Sequence, residues 1–200
     1  MTIASTYLEL LKNSSYRRFV AACCLTFGGL FAFISGSSFV LQGAFALSPT
    51  NFALSFATVV MGYIAGTLTA ARFVVRIGIE RTVAIGSVLL AASGLLMMVL
   101  MGAGLFGLAG LLVPMVVYLF GVGLVMPQAL AGALTPFPHH AGAASSCLGF
   151  MQMASAAVVG AFVGHMLAYG PLALPATIAL LGTATLALSW RARWGARRRP

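Results

Sequence analysis

Polar positions are sparse along this chain, and the apolar ones run together in six long stretches. They are approximately Phe19–Gln42, Phe52–Ala71, Thr82–Gly104, Leu108–Ala131, Ala143–Ala168 and Leu172–Trp190. At ~1.5 Å rise per residue, a helix of any of these lengths crosses a hydrocarbon layer of ~30 Å, the longer ones with tilt. Transmembrane β-strands would be ~10 residues long with alternating polarity, whereas these runs are longer and apolar on every side. The pattern predicts an all-α membrane protein with six transmembrane helices. Residues 1–18 form a cytoplasmic linker or interfacial segment, 19–190 the six-helix domain, and 191–200 a basic cytoplasmic tail. Leu8, Leu10 and Leu11 beside Lys12 fit either a short interfacial helix or a plain linker. The first apolar run is too long for a signal-peptide core and follows eighteen residues of mixed character, which argues against a cleavable signal.

Composition sharpens the class. The chain of 200 residues is 61% hydrophobic and 6% charged, where a soluble domain carries about 25% charged residues. That excludes an ordinary soluble enzyme, a nucleic-acid-binding domain and a disordered tail. The formal net charge of +9 comes from eleven basic and two acidic residues, so its placement matters more than its sum. The basic residues are Lys12, Arg17 and Arg18; Arg72, Arg76 and Arg81; and Arg191, Arg193, Arg197, Arg198 and Arg199. The connections near Gly43–Thr50, Leu105–Gly107 and Tyr169–Pro171 carry none. Six spans place every basic residue on one side, whereas five or seven would put an arginine cluster on the other. The positive-inside rule then makes both termini of this multi-pass protein cytoplasmic.

Divided into two triplets, the spans show a weak internal symmetry. Gly62 and Gly66 in the second span correspond to Gly160 and Gly164 in the fifth, both being small-xxx-small pairs of the kind that bring helices close. The first span (Gly28, Gly29, Gly36 and three serines) and the fourth (Pro114, Gly121, Gly123, Pro127) are the most broken. The third and sixth are the blandest, which predicts lipid contact. This is the expected layout of a 3+3 inverted repeat, as in transporter halves.

Phe31, Ser35, Ser38 and Gln42 are spaced four, three and four apart and therefore share a stripe of the first span. Tyr118 and Gln128 stand out in the fourth, and Ser145, Gln152 and Ser155 in the fifth. Such groups either line an aqueous cavity or hydrogen-bond between helices at ~0.6 kcal/mol each. No Asp, Glu, Lys or Arg falls within the predicted hydrocarbon spans, so the chain shows no proton relay of its own. The cysteines Cys23, Cys24 and Cys147 read as small packing residues rather than a disulfide framework. His139 and His140 lack further ligands at metal spacing, and neither metal nor cofactor is expected. A six-span intramembrane serine hydrolase using Ser37 or Ser38 with His165 is a remote alternative, without an acidic orienter. The expectation is a non-enzyme.

Three ordered strings carry a resemblance. The segment from Met126 to Gln152 holds Pro136-Phe-Pro138, then Ala141-Gly-Ala-Ala-Ser145, then Gly149-Phe-Met-Gln152. It resembles the tenth–eleventh helix connection of the Bcr/CflA drug-resistance family of major facilitator transporters. Phe31-Ala-Phe-Ile-Ser-Gly-Ser-Ser-Phe-Val-Leu-Gln42 resembles that family's seventh helix, with Ser38 where proline is usual. Ala71-Arg-Phe-Val-Val-Arg-Ile-Gly78 resembles its eighth–ninth loop, with Ala70 where asparagine is usual.

The resemblance covers about Tyr7 to Trp190, but only the C-terminal six helices of a twelve-helix family. It implies half of a major facilitator fold, in a proton-coupled multidrug antiporter that confers antibiotic resistance. Its substrate would be a small amphipathic drug-like molecule, bound between two halves. The implied coupling carboxylates lie in the other half. Phe31, Ser35, Ser38, Gln42, Tyr118, Gln128 and Gln152 are then the candidate lining residues. Arg72, Arg76, Gly78 and Arg81 form the candidate cytoplasmic gate loop, or act only as topology signals. Expected partners are the lipid bilayer and either an N-terminal six-helix half or a second copy of the chain, with no nucleic acid. A non-transporting truncated remnant or a membrane assembly protein is the alternative.

Overall fold

The structure, a computed structural model, describes residues 3–196, with side chains from 8 to 190. The predicted basic tail therefore lies outside the described side chains, and Arg197, Arg198 and Arg199 lie outside the described residues altogether. Among the described residues seven α-helices form in chain order: α1 (Ile3–Lys12), α2 (Ser14–Ser38), α3 (Pro49–Ile77), α4 (Ile79–Gly102), α5 (Gly107–Leu134), α6 (Ala141–Met166) and α7 (Ala173–Ala196). Helices α2 to α7 correspond to the six spans, and all six are long and apolar enough to cross a membrane.

Local chemistry sets the boundaries. Asn13 separates α1 from α2, and its side chain accepts the Tyr16 backbone N–H at 3.0 Å, satisfying one of the donors that a helix start leaves open. Ser48 does the same for α3, with Pro49 in the first turn, where its missing N–H costs nothing. Helix α2 does not end at Ser38 but winds on as a π-helical stretch over Phe39–Ala44, in which Phe45 donates to the Val40 carbonyl. The irregularity expected of the first span is thus a widened turn. The fourth span departs from the reading in the other direction. Helix α5 runs unbroken from Gly107 to Leu134 with Pro114 and Pro127 inside it, because a bilayer helix packed among neighbours tolerates the freed carbonyls.

The packing follows the inverted repeat. Exchanging the first span with the fourth, the second with the fifth and the third with the sixth maps the main helix pairs onto one another. The pair α2–α6 maps onto α5–α3, and α2–α7 onto α5–α4, while α2–α5 and α4–α7 map onto themselves. Helices α2 and α5 form the centre, where Phe33, Leu41, Met115, Tyr118 and Leu119 are buried.

The third and sixth spans are not the most exposed, contrary to their bland composition. Helix α4 turns Leu90, Ala91, Gly94 and Met97 inward and Ile85, Val88, Leu95, Leu96, Met98 and Val99 outward. The least buried spans are α3 and α6, at 22% and 17% of the most apolar window.

Candidate functional site

Helix α2 distributes its residues over three faces. Gly29 meets α5, and a Cβ there would fall on the Tyr118 hydroxyl. Gly28 and Gly36 meet α6 at Val159 and Val163. Near the end that carries Arg18, the Ser155 hydroxyl donates to the Cys24 carbonyl at 3.3 Å and to the Gln152 carbonyl at 2.8 Å. Nearer still to that end, the Tyr16 hydroxyl donates to the Ala144 carbonyl at 2.7 Å. Helices α2 and α6 are thus side by side along most of their length. The third face of α2 is open.

That open face holds the predicted stripe. Ser35 and Ser38 are exposed, and Phe31 and Gln42 are half-buried. The Gln42 amide donates to the Ser38 hydroxyl at 3.1 Å. Phe27 extends the stripe by one turn, its ring 4.9 Å from that of Phe31. The sequence reading missed Phe27, although its i,i+4 spacing to Phe31 was visible. Gln152 is half-buried on the neighbouring helix, and Ser35 reaches the backbone at Gly160. Aromatic faces, hydroxyls and the Gln42 amide are therefore grouped along the open face of α2, with Gln152 on α6 nearer the end that carries Arg18.

Two of the predicted lining residues lie elsewhere. Tyr118 is fully buried and Gln128 is 7% exposed. Both side chains are buried in the six-helix bundle, and the Gly29 notch accepts the Tyr118 ring from the α5 side. Neither belongs to the open wall.

The glycine pairs also diverge. Gly62 and Gly66 lie directly against the α5 backbone, where a Cβ would strike the Val116 and Phe120 carbonyls. Gly160 touches only Ser35, and nothing among the described residues lies within 4 Å of a Cβ at Gly164. Among the described residues no neighbouring helix packs against Gly164.

The predicted gate loop contracts to a single residue. Helix α3 continues to Ile77, so Arg72 and Arg76 are helical and exposed, and Arg81 sits in the first turn of α4. Gly78 makes the turn at φ 82, a conformation open to glycine at little cost. Its N–H donates to the Val74 carbonyl at 2.9 Å, and its carbonyl accepts the Thr82 hydroxyl at 2.8 Å. The turn is closed by backbone and threonine, without a guanidinium. The ion pair at this end joins Arg18 to Glu80 at 3.1 Å, an interaction absent from the sequence reading. Because Glu80 is one of only two acidic residues in the chain, it was the one signal available.

The hydrolase constellation does not assemble. Ser37 donates to the Ile34 carbonyl at 3.3 Å, Ser38 is bonded to Gln42, and the His165 ring lies against Tyr169. Among the described residues neither serine is hydrogen-bonded to His165.

A bundle of six apolar helices with an inverted-repeat packing and one polar, aromatic wall is an all-α membrane domain of the kind expected for half of a major facilitator fold. Proteins of that type are what the sequence is similar to. One is an uncharacterized MFS-type transporter, YdgK, of Bacillus subtilis (strain 168), 27% identical over 82% of this chain and 40% of its own length. Another is a bicyclomycin resistance protein homolog of Haemophilus influenzae (strain ATCC 51907 / DSM 11121 / KW20 / Rd), 29% identical over 82% of this chain and 41% of its own. A third is multidrug resistance protein D of Escherichia coli (strain K12), 26% identical over 94% of this chain and 47% of its own. The chain spans less than half the length of these curated relatives. No family model matches it.

Proposed function

We propose that the chain is the C-terminal six-helix half of a major facilitator transporter that exports small amphipathic drugs. The end carrying Arg18, Arg72, Arg76 and Arg81 faces the cytoplasm, and the membrane is the bacterial inner one. The observation that carries the proposal is the open wall of Phe27, Phe31, Ser35, Ser38, Gln42 and Gln152. A polar, aromatic stripe on an otherwise apolar bundle is costly against lipid and useful against a cavity. Amphipathic drugs bind such walls through aromatic area and a few hydrogen bonds. The wall carries no carboxylate, so proton coupling is assigned to a second six-helix half, and the chain itself is not an enzyme.

The test is drug efflux from a sensitive host that expresses the chain with and without the N-terminal half of a relative. Energy-dependent efflux is expected only from the pair. Ser35→Leu and Gln152→Ala are each expected to lower the efflux rate of that pair about tenfold, the effect of ~1.4 kcal/mol, at unchanged membrane abundance. Wild-type efflux from both variants would remove these residues from the wall. Efflux from the chain alone would refute the half-transporter reading, and no efflux with any partner half would favour an assembly role.

A further inference from the structure

Below the polar wall, at the arginine-bearing end, a groove of about 490 Å³ opens between α2 and α6 beneath α1. Its floor is Val20, Ala21, Cys24 and Met151, and its rim is Leu11 and Arg17. The polar groups in its walls are already used, since Ser155 bonds to the Cys24 and Gln152 carbonyls and Tyr16 to the Ala144 carbonyl. What the groove offers is an apolar trough with one guanidinium at its mouth. Arg17 is exposed and has no acidic partner among the described residues, whereas its neighbour Arg18 is paired with Glu80.

Helix α1 indicates what covers the trough. Leu10 is fully buried against the bundle, and Leu8 and Leu11 are 59% and 43% exposed. A short amphipathic helix that holds on by one leucine and presents others outward lies at the headgroup level of a bilayer. Leu11 belongs both to that outward surface and to the rim of the groove, so the groove opens at headgroup depth. We propose that it binds an anionic phospholipid, with one acyl chain along Val20, Ala21, Cys24 and Met151 and the phosphate on Arg17. Lys12, in the last turn of α1, adds positive charge at the same level. Apolar length and positive charge at one interfacial depth match an anionic lipid and disfavour a zwitterionic one.

The test is lipid retention by the purified full chain, read by native mass spectrometry after incubation with equal phosphatidylglycerol and phosphatidylcholine of the same acyl composition. The wild type is expected to retain phosphatidylglycerol preferentially. Arg17→Gln is expected to lower that retention roughly fivefold, the size of one basic residue at an anionic surface, and Ala21→Phe to lower retention of both lipids by filling the trough. Arg81→Gln, at the same end but outside the groove, is expected to retain the wild-type preference. If Ala21→Phe does not fold, Arg17→Gln alone decides. Equal retention of the two lipids by the wild type, no change in Arg17→Gln, or an equal loss in Arg81→Gln would overturn the proposal. Displacement of phosphatidylglycerol by a co-expressed six-helix partner would overturn it too, by showing that protein covers the groove.

Discussion

Tyr118 illustrates how one side chain can satisfy packing and violate hydrogen bonding together. Its ring fills the notch at Gly29 between the two central helices. Its hydroxyl is buried without a partner among the described residues, as is that of Thr26 one turn before Gly29 on α2. An unmet buried hydroxyl costs about 1–3 kcal/mol, whereas removing it and leaving the ring is close to neutral or stabilising. Tyr118→Phe is therefore expected to leave the detergent-solubilised chain as stable as the wild type or more so. Gly29→Ala drives a methyl into the hydroxyl and is expected to cost about 1–3 kcal/mol. The double variant should recover part of that loss, because removing the hydroxyl relieves the closest overlap with the methyl while the ring stays against it, and contacting residues are coupled rather than additive. Thermal and denaturant unfolding of the four proteins measures the coupling. Strictly additive losses would show that the two residues do not share the notch.

Between elements, residue spacing indicates which side chains share a face but not what that face meets. The pairs Gly62–Gly66 and Gly160–Gly164 have the same period and equivalent places in the repeat, and the sequence treats them alike. In the bundle, Gly66 faces the Phe120 backbone while Gly164 faces open space. A backbone carbonyl cannot change rotamer to make room, so Gly66→Val is expected to cost about 3 kcal/mol or more. Gly164→Val should stay within about 1 kcal/mol. Comparing the unfolding midpoints of the two variants checks this, and equal losses would contradict the arrangement of α3, α5 and α6.

The same limit decides what else could be read in advance. The six spans were legible because hydrophobic length is a property of each segment alone. The stripe from Phe31 to Gln42 was legible because helical period fixes a common face. The burial of Tyr118 and Gln128 was not, since it depends on what the other helices present, as the Gly29 notch does for Tyr118. The reach of α3 to Ile77 was hidden as well. Arginines in a final helical turn and arginines in a loop look the same in sequence, and only the φ of Gly78 separates them. The Arg18–Glu80 pair joins residues sixty-two positions apart, beyond any local pattern.

At the scale of the whole molecule, charge does little for stability and much for placement. The Arg18–Glu80 pair is largely solvent-accessible, with side chains 34% and 60% exposed, and such pairs contribute about 0–1 kcal/mol. Yet this contact ties the start of the first span to the turn between the second and third, which puts Arg17, Arg18, Arg72, Arg76 and Arg81 at one end of the bundle. The turns at the other end, around residues 43–50, 103–107 and 167–172, contain no basic residue. Translocating the arginine-bearing end would carry those guanidinium groups across the hydrocarbon, so the proposed orientation is the one with arginines inside. In a variant whose native cysteines are replaced by alanine, single cysteines can report it. Arg76→Cys marks the arginine-bearing end, and Phe106→Cys, at a residue 74% exposed, marks the opposite end. A membrane-impermeant maleimide added to intact cells is expected to label Phe106→Cys at once and Arg76→Cys only after permeabilisation. The reverse pattern would invert the topology. Labelling of both sites in intact cells would mean that the six helices do not hold a single orientation, and a bundle without a fixed orientation could not serve as one wall of a vectorial exporter.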